Sequence, residues 1–220
     1  VIAHFKKMQK YIFILFFIIS NFTFAQESKD ETETYIKKFR KELRSKNINT
    51  FFVVKHIQYG GISITNIDEK NYCANDGVNY RMYAFWKDKN DYWLKVFDNC
   101  GGFIATKLED KEAEKFYIEN FEKIKLEEVE RYKLKQDSIS NGKTYSFISM
   151  QSHSPLRYFW CYKDSTVFKK VFNKYNLTTN EKSPNLNYTL NNNLSLVKLN
   201  IICEKIIEKY VKTENLMREQ

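Results

Sequence analysis

The sequence predicts an α+β fold: a mostly antiparallel sheet built from hairpins, with helices packed against it. Three observations carry this. Apolar residues recur with a helical period in some segments and alternate as in strands in others. Turn-forming clusters such as Gly60-Gly61, Asp88-Lys89-Asn90-Asp91 and Ser152-His153-Ser154-Pro155 separate pairs of strand-like runs. Hydrophobic residues make up 43% of the 220, against 6 Gly and 2 Pro, which suits one domain with a real core and no long linker.

Taken in order, a first helix is expected over about 29–46. Ser28 and Glu31 have capping-box spacing, and Ile36, Phe39 and Leu43 share a face. Phe51 to Tyr59 reads as a strand that turns at Gly60-Gly61 and returns over Ile62 to Ile67, with Ile57 opposite Ile64 and His56 opposite Thr65. A second hairpin, Tyr80–Lys87 and Tyr92–Asp98, carries large residues on both faces and belongs in mid-sheet. A helix over about 107–124 would start at a Thr106/Glu109 capping box and bury Ala113, Phe116, Tyr117, Phe121 and Ile124. After an ambiguous charged stretch and Asn141-Gly142, a third strand pair is expected at 144–151 and 156–163. Val167, Phe168, Val171, Phe172 and Tyr175 suggest a short helix, 177–193 a surface loop, and 195–212 a last helix with Leu199, Cys203, Ile206 and Tyr210 inward. Phe85-Trp86 and Phe159-Trp160 form a faint echo that hints at a duplicated unit.

The N-terminus has the pattern of an export signal. Lys6, Lys7 and Lys10 precede the apolar run Tyr11 to Ile19, and Thr23 and Ala25 hold the −3 and −1 places of a cleavage site before Gln26. The run is far shorter than the roughly 20 residues of a spanning helix, so residues 1–25 are read as a removable signal with no membrane span left after cleavage. Met8 is a plausible start, which makes 1–7 an upstream extension. The expected single α+β domain is then 26–220, periplasmic or secreted, with 33 basic and 27 acidic residues, or +6. That excess is ordinary for solvated helix faces in a Lys-rich composition, and export further disfavours nucleic acid as a partner.

All four cysteines lie after the signal, and an even count in an exported chain predicts two disulfides. Cys100 ends the second hairpin near the loop that holds Cys73, which pairs those two; such a loop would contribute about 3–4 kcal/mol. Elimination pairs Cys161 with Cys203, and two buried free thiols are the alternative.

No nucleophile elbow, phosphate loop, zincin motif or Cys/His ligand spacing occurs, so no catalytic, metal or cofactor residues are assigned. The weak binding-site candidates are four. His56 would sit on a polar strand face with Gln58, Ser63 and Thr65, and His153 at a hairpin tip between serines. Asp98 with Asn99 lies beside Gly101-Gly102, and Trp86 with Trp93 and Trp160 could form an aromatic platform. Each has a plain structural reading too: a wet sheet face, an exposed loop, turn chemistry, core packing.

The ending Phe24-Ala25-Gln26 and the Lys/Asn/Phe/Tyr bias resemble small exported proteins of the phylum Bacteroidota that are themselves uncharacterised. That resemblance implies periplasm or cell exterior, and carries no site. The function expected is a non-enzymatic binding protein of the envelope or extracellular space, with a protein or glycan partner. The alternative is a small exported hydrolase using His153 or His56 with a carboxylate such as Asp98. Amino-terminal sequencing of the protein purified from its native compartment should begin at Gln26; a start upstream, on cytosolic material, would overturn the export reading.

Overall fold

The computed structural model describes residues 31–57, 80–213 and 216–219. Their elements run α1 (Thr32–Ser45), β1 (Phe51–Ile57), β2 (Tyr80–Asp88), β3 (Asp91–Asp98), β4 (Gly101–Gly102), β5 (Thr106–Leu108), α2 (Glu112–Leu126), β6 (Lys133–Ser140), β7 (Lys143–Ile148), β8 (Leu156–Lys163), β9 (Thr166–Asn173), a 3-10 turn (Lys174–Leu177), α3 (Tyr188–Asn193) and α4 (Ser195–Thr213). The fold is α+β with an antiparallel sheet, as predicted.

Seven strands form the main sheet in the order β4-β3-β2-β1-β8-β9, with β5 also on the outer edge of β3. β1 lies in the middle, paired along its whole length with β2 on one side and β8 on the other. Alternation divides its side chains between two cores. Phe52 and Val54, with Phe85, Leu94 and Phe159, face α2 and α4, which contribute Ala113, Tyr117, Phe121, Leu199, Cys203 and Ile206. Phe51 and Val53, with Met82, Trp86, Trp160 and Tyr162, face α1 through Ile36, Phe39 and Leu43. The sheet is thus sandwiched between helices, and nearly every β1 position is buried.

The predicted stripes of α1 and α4 and the β2–β3 hairpin are observed, with Lys89-Asn90 as the turn between paired Asp88 and Asp91. Five expectations are corrected. β1 does not pair with 62–67 over its described length, because β2 and β8 already hold both its edges; Ile57 faces Tyr80 and Leu156, and His56 faces Arg81 and Arg157. The rest of that hairpin, 58–67, lies outside the described residues, as do the signal segment, Ser28 and Cys73. The second helix starts at Glu112 rather than 107, since Thr106–Leu108 pairs with the edge of β3; Asp110 then accepts the Glu112 N–H at 2.7 Å.

The third hairpin is not 144–151 with 156–163. Asn141 and Gly142 are themselves the two-residue turn, both with positive φ (51° and 70°), and they join β6 to β7 as a separate two-stranded sheet. The predicted helix at 167–175 is strand β9, whose buried positions Lys170 and Phe172 alternate with exposed Lys169 and Val171. The expected surface loop at 177–193 contains α3 and two buried asparagines. Asn191 accepts from the Glu130 N–H at 2.9 Å and donates to the carbonyls of Glu130 and Asn176, and Asn185 makes similar links to Lys133, Asn176 and Thr178. These amides supply the backbone partners that regular structure would otherwise provide.

The expected Cys161–Cys203 disulfide is corrected in favour of the alternative of two buried free thiols, while the Cys73–Cys100 pairing involves Cys73, outside the described residues. Cys161 on β8 and Cys203 on α4 are buried in one core but are free thiols. The Tyr117 hydroxyl from α2 meets the Cys161 thiol, and burial pushes that thiol up to about 12 and Cys203 well above its ordinary value. They behave as small core side chains.

The Phe-Trp echo has a definite geometry. Phe85 and Phe159 face α2 and α4, while Trp86 and Trp160 face α1. β2 and β8 run in the same direction beside β1, yet β3 and β9 extend outward on opposite sides. A half-turn about β1 carries one hairpin onto the other but exchanges the two faces of the sheet, so the Phe-Trp pairs, which keep the same faces, do not coincide. The echo is not a structural repeat.

Phe52 is fully buried, with its ring stacked 5.0 Å from Phe85 and 4.7 Å from Tyr117. Phe52→Ala should therefore cost about 3–5 kcal/mol in chemical denaturation, while Leu126→Ala, on an 80% exposed side chain, should change stability by no more than about 0.5 kcal/mol.

Candidate functional site

The α1–β1 loop, the β2–β3 turn, the β8–β9 turn and the start of α2 enclose a cleft at one end of the sheet. Its volume is about 450 Å³, within the small-molecule range. The walls are Ile48, Phe51, Tyr117 and Ile118; Lys46, Lys87, Lys89, Asp88 and Asp164 also line it. Asn47, Lys89 and Asp164 adopt left-handed backbone (φ 60°, 54° and 55°), a conformation Asn and Asp accept more readily than Lys. The Asp164 N–H donates to the Asn49 carbonyl at 3.2 Å and ties two of the loops together.

Glu114 belongs to this lining. It follows Ala113 in the buried α2 stripe, three residues before Tyr117 and seven before Phe121. Only 3% of it is exposed, and neither carboxylate oxygen has a hydrogen-bond partner among the described residues. Burial raises its pKa from 4.5 to about 8, and the negative charge of Asp110 adds to the rise. An orphaned buried carboxyl is costly, and in a cleft it marks a candidate site. The sequence held the signal, an acid inside an apolar stripe, but the α2 stripe was read without it.

The residues proposed from sequence are placed differently. His56 is not on a wet face. It lies largely buried on the α2/α4 side of β1, its ring 5.0 Å from Tyr83, and its Nε2 has no partner among the described residues. Desolvation first, then the positive charges of Arg157 and Lys174, lowers its pKa from 6.5 to about 3. Arg157 and Lys174 converge on Glu204 of α4, with contacts of 2.9 Å to Oε1 from each. Sequence reasoning missed these three residues, which β8, the 3-10 turn at the end of β9 and α4 bring together.

Asp98 ends β3 and is held by Arg218, with contacts of 3.0 and 2.7 Å to its two oxygens. His153 is exposed in the β7–β8 loop with φ 59°. Trp86 is buried, edge-on to Phe39 at 5.3 Å and stacked on Trp93, so it offers no open platform. No hydrogen bond joins His56, His153 and Asp98 among the described residues, nor do these hold a cluster of three or more potential metal ligands. No helix among them is long and apolar enough to cross a membrane.

Comparison of the chain with protein-family models, with curated proteins and with solved structures found no match.

Glu114 and His56 set opposed pH limits. The raised pKa of Glu114 means its folded state holds a proton that the unfolded chain releases, so stability falls as pH rises from about 4.5 to 8. The lowered pKa of His56 means the unfolded chain takes up a proton that the fold refuses, so stability falls as pH drops from about 6.5 to 3. Thermal denaturation across pH should show Glu114→Met stabilising by about 1–3 kcal/mol at pH 8 and by less at pH 5. An equal effect at both would mean the carboxyl does not titrate in this window.

Proposed function

We propose that the chain is an exported binding protein of the envelope or extracellular space, recognising a protein or glycan. The signal-like N-terminus supports the location. The observation that carries the binding reading is the β6–β7 hairpin, which pairs with no strand of the main sheet among the described residues.

Nearly all of this hairpin is open to solvent. Strand alternation puts Lys143, Tyr145 and Phe147 on one face, and Lys135, opposite Phe147, holds its ammonium 5.7 Å from that ring. Tyr145 and Phe147 are 49% and 43% exposed, and Ile139 and Met150 more so. Four large apolar side chains near one hairpin exceed what a scattered surface shows. Tyrosine with a neighbouring cation is also a frequent composition of binding hot spots. The two-residue Asn141-Gly142 turn and the Lys133–Asp137 ion pair at 2.8 Å give the arm a defined shape before any partner arrives.

A photo-crosslinking residue at Tyr145 should yield a discrete adduct with an envelope protein or glycan, and the same residue at Leu126 should not. Phe147→Ser should reduce that adduct about tenfold with the melting temperature unchanged. Equal labelling at both sites, or none at Tyr145 in either extract, would remove the basis for this reading.

A further inference from the structure

The chain that follows β3, from Gly101 to Ile104, carries a second site on its outer edge, independent of the arm. After Asp98 the chain turns and runs back from Gly101, and residues 217–219 lie along it in extended form. The Ile104 N–H donates to the Met217 carbonyl at 2.8 Å and the Glu219 N–H to the Gly102 carbonyl at 3.1 Å, with Phe103 and Arg218 paired antiparallel between them. Extended backbone sends neighbouring side chains to opposite faces. Arg218 goes to the α2/α4 face, where its guanidinium forks onto both oxygens of Asp98 and lies 4.5 Å from the Phe103 ring. Glu219 goes to the α1 face and meets the buried Lys95 ammonium at 2.5 Å.

The receiving groups are held by the domain itself. Asp98 also accepts the Cys100 N–H at 2.9 Å, which orients its carboxylate. Lys95 sits between the rings of Phe39 and Phe97, 5.8 and 5.4 Å away. A Cβ on Gly102 would lie 2.9 Å from a Glu219 carboxylate oxygen, so the backbone there is cut to admit an acidic side chain. Met217, by contrast, is 66% exposed; the segment is held by main-chain bonds, the two charged side chains and the partly buried Leu216 packed against the core.

These are the parts of strand-addition recognition: main-chain hydrogen bonds for affinity, and alternate side-chain sites for sequence. We propose that this notch is a peptide-recognition site for an extended segment in which arginine is followed by an acidic residue. Residues 217–219 occupy it in cis, and a partner protein's segment of the same chemistry occupies it in trans. The tethered segment competes at an effective concentration on the order of millimolar, so it sets the threshold a partner must exceed.

The test uses the full chain and a fluorescent peptide of residues 214–220 (ENLMREQ). With Arg218→Ala and Glu219→Ala introduced together, the notch is vacated and the peptide should bind saturably. The unmutated chain should bind it at least tenfold more weakly, and a peptide with Glu in place of its Arg should lose at least tenfold on the vacated chain. No saturable binding, equal binding to both chains, or equal binding of the charge-reversed peptide would overturn the proposal. Hydrogen exchange on the unmutated chain gives a second reading that needs no variant. The Ile104 and Glu219 amides should exchange at least tenfold faster than the β3 interior, and matching protection would mark the segment as a fixed part of the fold.

Discussion

The double-sided burial of β1 constrains everything else. Both of its edges are hydrogen-bonded and both faces are covered, so each side chain on it must be apolar or find a partner inside the protein. Lys55 satisfies this rule: its ammonium reaches the Thr32 hydroxyl at 2.5 Å and lies 4.0 Å from the Tyr80 ring. That contact also ties the first turn of α1 to the middle of the sheet. His56 meets the rule only by staying neutral, and its Nε2 remains without a partner among the described residues.

From that strand outward, covering elements give way to exposed ones. α2 and α4 close one face and α1 the other, while the chain between α2 and β6 is held by asparagine amides instead of by a helix or ladder. Asn191, fully buried, connects the segment before β6 to the 3-10 turn and to its own helix. The β6–β7 arm lies beyond the reach of the sheet's constraints, and nearly all of it is open to solvent.

How much of this could be read from residues alone follows the same division. The stripes of α1 and α4 and the alternation of β2 and β3 were legible because each element buries a face dictated by its own period. β9 was not, since Val167, Phe168, Val171 and Phe172 fit a helical spacing as well as an edge strand with one wet face. Asn141-Gly142 was recognised as punctuation, but only the strand after it was expected, because the segment before it is almost wholly polar. At the sites, Asp98 and Gly101-Gly102 stood out locally, yet Arg218 lies 120 residues away in sequence, and no local pattern links them. Glu114 could have been found, as an acid aligned with Tyr117 and Phe121.

β9 is an edge strand, and the described residues leave its outer side open. Two consecutive lysines stand in its middle. Lys169 contacts Glu33 beside Trp160, while Lys170 turns inward, largely buried, to Glu128 at 2.6 Å. Charged side chains in the middle of an edge strand are a common natural guard against open-ended sheet growth, since an added strand would have to keep both ion pairs intact.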